Sequence, residues 1–74
     1  MKTLYELKKN EKTKVKTLHS RGVIRERLVS FGIVRDAEIE VKNCNLSKDN
    51  IEISVNGNSF IALRSEEAKS IEII

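Results

Sequence analysis

Apolar and polar residues alternate along several stretches of the chain. In Glu38-Ile39-Glu40-Val41-Lys42, Ile39 and Val41 fall on one side of an extended segment and three charges on the other. Ile51-Glu52-Ile53-Ser54-Val55 repeats the pattern, with Ile51, Ile53 and Val55 directed inward. Period-2 runs rich in β-branched residues are what half-buried antiparallel strands require. After Asn56-Gly57-Asn58, the segment Ser59-Phe60-Ile61-Ala62-Leu63 resumes the extended pattern. Asn-Gly tolerates the positive φ that tight turns between antiparallel strands demand, so 51–63 reads as a hairpin. A fainter alternation, Lys14 and Lys16 against Val15 and Leu18, gives a strand over 12–18, and Ile71-Glu72-Ile73 gives a short closing strand.

One segment changes the period. Ile24, Leu28 and Phe31 recur at i, i+4 and i+7, so residues 23–31 predict a helix with those three on one face. Gly32 follows at once and suits the left-handed position that ends a helix. Ser65 to Lys69 reads as a single helical turn. Ser65 can accept from a free backbone N–H there, and Glu66 and Glu67 suit the positive end of the helix dipole. Leu4 and Leu7 mark another short turn. The expected core is Ile24, Leu28, Phe31, Ile39, Val41, Ile51, Ile53, Val55, Ile61 and Leu63. Five short strands in so small a chain predict a mainly β fold closed into a barrel, because closure removes exposed edges.

At 74 residues the chain makes one domain, 1–74, since two halves would each be too small for a core. A hydrophobic fraction of 39% supplies one small core, and 34% charged residues keep the rest of the surface solvated. The longest uninterrupted apolar run is Phe60-Ile61-Ala62-Leu63, so no segment predicts a bilayer span or a signal peptide. With a single cysteine there is no internal disulfide, which fits a reducing, cytoplasmic setting. Charge is unevenly spread: residues 1–35 carry ten basic and three acidic side chains, and 36–74 carry four and eight. A basic front half steers acidic partners, nucleic acid or anionic membrane. If the halves interleave in the fold, the field largely cancels, and that is the preferred reading.

Catalytic constellations are hard to assemble from these residues. His19 is the only histidine and Cys44 the only cysteine, so no Cys/His metal site of ordinary count forms within one chain. Cys44 reads as a small filler, since Lys42 alone does not make a reactive thiolate. The glutamates fall mostly opposite apolar strand positions, the mark of solvated faces, and three scattered glycines cannot make a phosphate loop. A serine nucleophile would have only His19 as its base. Small barrels that bind single strands use aromatic platforms in a basic groove. Here only Tyr5, Phe31 and Phe60 are aromatic, so nucleic acid is not the expected partner.

The order of segments resembles the FeoA family, the ferrous iron transport protein A proteins. The resemblance rests on Leu4-Tyr5-Glu6-Leu7, Arg25 to Ile33, Glu40-Val41, Ile51 to Gly57, Ala62-Leu63-Arg64 and Glu67-Ala68, and covers about Thr3 to Ile73. It implies an SH3-like barrel of five to six strands, with the family's helix pattern appearing as Arg27-Leu28-Val29-Ser30-Phe31-Gly32. It implies no enzyme activity, and it carries transition metal ion binding as a family-level label; with one His, one Cys and scattered carboxylates, no cofactor and no dedicated iron site are expected in this chain. It implies an accessory of the FeoB-type membrane iron permease and its cytoplasmic GTPase-containing domain, with membrane contact only through that partner. A related domain also sits at the C-terminus of iron-dependent repressors. The alternatives are therefore a stand-alone regulatory domain of that kind, a nucleic-acid-binding barrel, or a weak homo-oligomer joined through strand edges.

Two loops depart from the family pattern. Relatives carry Pro-Gly where this chain has Arg35-Asp36, and a P-L-G-D-P loop where it has Leu46-Ser47-Lys48-Asp49-Asn50, of which only Asp49 fits. Without Pro-Gly, Arg35-Asp36 is expected to make a looser or differently shaped turn. The expected partner surface is the helix and its flanks: Arg21, Arg25, Arg27, Val29, Val34 and Arg35. Arg21, Arg25 and Val29 share a stripe with no acid at i+4, and such an unpaired cationic stripe suits an acidic surface. On this reading, reversing the charge of both Arg25 and Arg27 leaves the isolated fold intact.

Overall fold

A computed structural model describes residues 1–74. The alternating runs form five strands, β1 (Lys12–Leu18), β2 (Glu38–Cys44), β3 (Asn50–Val55), β4 (Ser59–Arg64) and β5 (Ile71–Ile73). A 3-10 turn at Leu4–Glu6 precedes them, α1 (Gly22–Ser30) follows β1, and the single turn α2 (Ser65–Lys69) joins β4 to β5. All pairings are antiparallel in the order β4-β3-β2-β1-β5. The ladder stops at β4 and β5, which do not pair, so the closed barrel expected from the strand count is an open five-stranded sheet. The link between those two edges is α2, and a chain that spends five residues on a helical turn there cannot continue the ladder.

Register follows burial. Ile39 faces Val55, Val41 faces Ile53 and Ile51 faces Leu63, all from buried sides of their strands. A one-residue slip would turn each of these side chains into water. Leu28, Ile39, Val41, Ile51, Ile53, Val55 and Leu63 are buried as expected, joined by Leu4, Leu7, Val15, Ile33, Ala37, Ala68, Ile71 and Ile73. Three expected core residues are not buried: Ile24 is exposed, and Phe31 and Ile61 only pack against the cluster's margin. The cause is that Leu28 is the one residue of α1 that is buried. The helix then turns back through Gly32 at φ 87°, with Gly32 N–H bonded to the Val29 carbonyl (2.9 Å) and Ile33 N–H to the Leu28 carbonyl (3.0 Å). This pair of bonds is the Schellman arrangement, which brings the residue after glycine against the helix's last turn. Ile33 is thereby carried into the core and fully buried, while Phe31 stays at its margin.

The turn after Ile33 keeps its shape without Pro-Gly. Ala37 N–H bonds to the Val34 carbonyl (2.9 Å), and Asp36 sits at φ 69°, the sign that the third residue of a type II turn requires. Asp36 N–H and Val15 N–H, bonded to the carbonyls of Val15 (2.8 Å) and Ala37 (3.0 Å), tie this turn to β1. The looser turn expected from Arg35-Asp36 is thus a hydrogen-bonded one, held by β1 and by an aspartate, which tolerates positive φ better than most residues. Asp36→Gly is expected to raise stability by about 0.5 kcal/mol, and Asp36→Val to lower it by about 1–2 kcal/mol. Paired chemical denaturation of the two variants checks the opposite signs.

The charged halves interleave across the sheet. Lys12 stands opposite Glu40 and Lys14 opposite Glu38 in the β1–β2 register. Lys16 reaches Glu72 across the halves at 3.5 Å, and within the second half Lys42 reaches Glu40 at 3.2 Å. Part of the front half's positive charge is therefore matched locally, whereas Arg21, Arg25 and Arg35, on α1 and its flanks, form no ion pair.

Candidate functional site

The sequence from Arg21 to Arg35 carries α1 and the turn after it, with most of its side chains exposed. Arg21 precedes α1 in an extended conformation, with no side chain capping the helix. Arg25 is exposed, and its Nη1 donates to the Leu18 carbonyl at 3.2 Å, which lays the side chain toward the end of β1. Val29 is 41% exposed and Val34, beyond the Schellman turn, is 44% exposed; Arg35 stands exposed beside it. Sequence reasoning missed two apolar residues of this surface, Val23 at 79% and Ile24 at 45% exposure. The missing signal is the helix's poor amphipathicity: apolar Val23, Ile24, Leu28 and Val29 surround the axis, and only one of them can face the sheet.

Arg27 differs from its neighbours. Its Nη1 donates to Oε2 of Glu67 on α2, and its guanidinium lies 5.1 Å from the centre of the Phe31 ring. Glu67 is buried, and its other oxygen accepts the Arg64 N–H at 2.9 Å. Both carboxylate oxygens are thus satisfied, one by the backbone entering α2 and one by α1. Arg27 therefore holds the two helices together, and the expectation that it is as free as Arg25 is corrected by this buried partner. A shallow notch lined by Ile24, Arg27, Arg64, Glu66 and Glu67 lies between the helices.

The second divergent loop is self-supporting. Asn45 Oδ1 accepts the Asp49 N–H at 2.9 Å, and the Ser47 hydroxyl donates to Asp49 Oδ2 at 2.8 Å. Lys48, at φ 58°, reaches back to donate to the Tyr5 carbonyl. Its ammonium lies 4.9 Å from the centre of the Tyr5 ring, and that of Lys69 lies 4.6 Å away. Hydrogen bonds from side chains hold this proline-free loop in shape.

Remaining polar chemistry is sparse. His19 is half-exposed, with Nε2 2.7 Å from Glu72 Oε1. The bond from His19, aided by Lys16, holds the Glu72 carboxyl below its ordinary range. Glu66 is also held low, chiefly by its backbone N–H and by the Ser65 hydroxyl at the start of α2. Because the folded state lowers the pKa of Glu72, its contribution to stability is present above the unfolded carboxylate pKa and is lost as pH falls through the folded value. Glu72→Gln is expected to flatten the loss of stability between neutral and acid pH, read from denaturation midpoints at a series of pH values. Cys44 is a half-buried free thiol. No three His, Cys, Asp or Glu side chains gather as a metal ion would need. No helix is long and apolar enough to cross a membrane.

Known proteins share this layout over nearly the whole chain. A family model described as the FeoA domain matches residues 2–74. The chain is 32% identical over 71 residues to a Campylobacter jejuni protein named Fe(2+) transport protein A, covering 96% of this chain and 95% of that one. The solution structure of the Chlorobium tepidum FeoA protein superposes with a TM-score of 0.88 at 30% identity, covering 97% of this chain and 68% of that one. The Stenotrophomonas maltophilia FeoA crystal structure, a zinc complex described as an SH3 domain protein, gives a TM-score of 0.87 at 26% identity, covering all of this chain and 91% of that one. With the family model spanning residues 2–74 and a relative 32% identical over 71 residues, the chain belongs to the FeoA family.

Proposed function

We propose that this protein is a non-catalytic, cytoplasmic accessory of ferrous iron uptake that binds the cytoplasmic GTPase-containing domain of a FeoB-type permease. Iron is the permease's cargo in this reading, and the chain contributes contacts, not ligands. One observation carries the placement of the contact: Val23, Ile24, Val29 and Val34 stand exposed together with Arg21, Arg25 and Arg35 on α1 and the turn after it. Exposed apolar residues rimmed by cations suit a partner surface that is apolar with an acidic border. The open five-stranded sheet supports that surface, since Leu28 and Ile33 are both buried beneath it. The protein acts on the permease by binding one conformation of the cytoplasmic domain better than another.

Pull-down and titration calorimetry with that domain test the reading. Arg25→Glu combined with Val29→Glu is expected to weaken binding at least about tenfold, because a buried apolar contact and a charge contact are lost together. Both positions are exposed, so the circular dichroism spectrum and melting temperature should stay close to wild type. Unchanged affinity in the folded double variant would exclude this surface. A loss of GTP turnover with binding preserved would mean instead that an arginine reaches the nucleotide.

A further inference from the structure

The two edges of the sheet are treated differently. Outside β5, residues Lys2 and Thr3 cover the strand: Ile73 N–H bonds to the Lys2 carbonyl at 2.9 Å, and Thr3 bridges Glu72. At the other end, the backbone of Ser59–Leu63 bonds only within the β3–β4 ladder. The β4 edge is regular, without a register shift over six residue pairs, and contains no lysine and no proline. Bulges, lysines and prolines are the usual devices that keep an edge from pairing with another chain. Phe60 stands 71% exposed on it, although aromatic side chains are costly to leave in water.

We infer that the open β4 edge pairs with β4 of a second copy of this chain, antiparallel about a two-fold axis at Ala62. An isologous contact needs a self-complementary strand, and β4 is one. With Ala62 opposite its own copy, Ile61 faces Leu63 of the second copy, and Phe60 faces Arg64. Apolar residues from the inner sides meet and extend both cores, while on the outer side each arginine lies over an aromatic ring. Arg64 is the strand's only charge, and the antiparallel arrangement sets the two arginines at opposite ends of the contact. A parallel pairing would set them side by side. At the axis the two Ala62 side chains stand side by side on the outer face of strands spaced about 4.8 Å apart, and bring no like charges together. The contact lies at the low end of interface sizes, so the dimer is weak and forms at high local concentration. It uses a different element from α1 and stands whether or not the permease reading does.

Sedimentation velocity over a concentration series tests it. The wild-type chain is expected to run as a monomer near about 10 μM and to shift toward a dimer on the order of 1 mM, as a small interface dictates. Amide exchange at Ser59–Leu63 should slow over the same range. Ala62→Lys and Ala62→Glu each place like charges at the axis and should leave the protein monomeric. Mixing the two variants should restore the dimer as a heterodimer, which also shows that both are folded. A wild-type protein that stays monomeric throughout overturns the inference. So does a dimer that survives Ala62→Lys, or a mixture that does not associate.

Discussion

Leu28→Ala is expected to lower the unfolding free energy by about 2–5 kcal/mol, the range for deleting a fully buried leucine side chain. The size follows from its position, since Leu28 is the one residue through which α1 enters the core and it is fully buried. It also contacts the chain that returns through Gly32, because its carbonyl holds the Ile33 N–H. A cavity there cannot be refilled from the helix, whose other apolar residues point to solvent. A domain of this size holds roughly 4–11 kcal/mol in all, so the variant approaches the limit of folding. Urea denaturation checks the loss. A midpoint within error of wild type would remove Leu28 from the core and detach α1 from the sheet.

Arg27→Glu is expected to cost about 3 kcal/mol, because it sets a second carboxylate against the buried Glu67. At this chain length that corresponds to a fall in melting temperature of more than about 10 °C. Arg25→Glu, whose only bond is to the Leu18 carbonyl at the surface, should stay within about 1 kcal/mol of wild type. Thermal melts of the two variants separate them. The contrast matters for any binding experiment: a partner lost with Arg27→Glu reports on the fold, whereas a partner lost with Arg25→Glu reports on the surface. Arg27→Lys keeps the charge but cannot reproduce the planar guanidinium over Phe31, so recovery should be partial.

Much of this protein was legible in its sequence. The period-2 runs fixed β2, β3, β4 and the inward sides of Ile39, Val41, Ile51, Ile53 and Leu63, because an alternating strand has only two faces to choose between. Gly32 and Asn56-Gly57 marked positive-φ positions that few other residues occupy cheaply, and the structure uses them so. The family, too, was legible, since the order and spacing of segments persist where the loops do not. What the helix does was not. Ile24, Leu28 and Phe31 share a face by periodicity, yet of the three only Leu28 is buried. Which residue that is depends on where Gly32 turns the chain and carries Ile33 into the core. Arg27 shows the same limit: its partner, Glu67, is forty positions away, and no local spacing announces a pair made between two helices. Open or closed pairing of the sheet was decided in three dimensions as well. Strand count favours closure, but the five-residue α2 spans the gap between β4 and β5 and leaves one edge free. Local chemistry determined the elements and their faces; contacts between distant elements decided which of those faces remained for a partner.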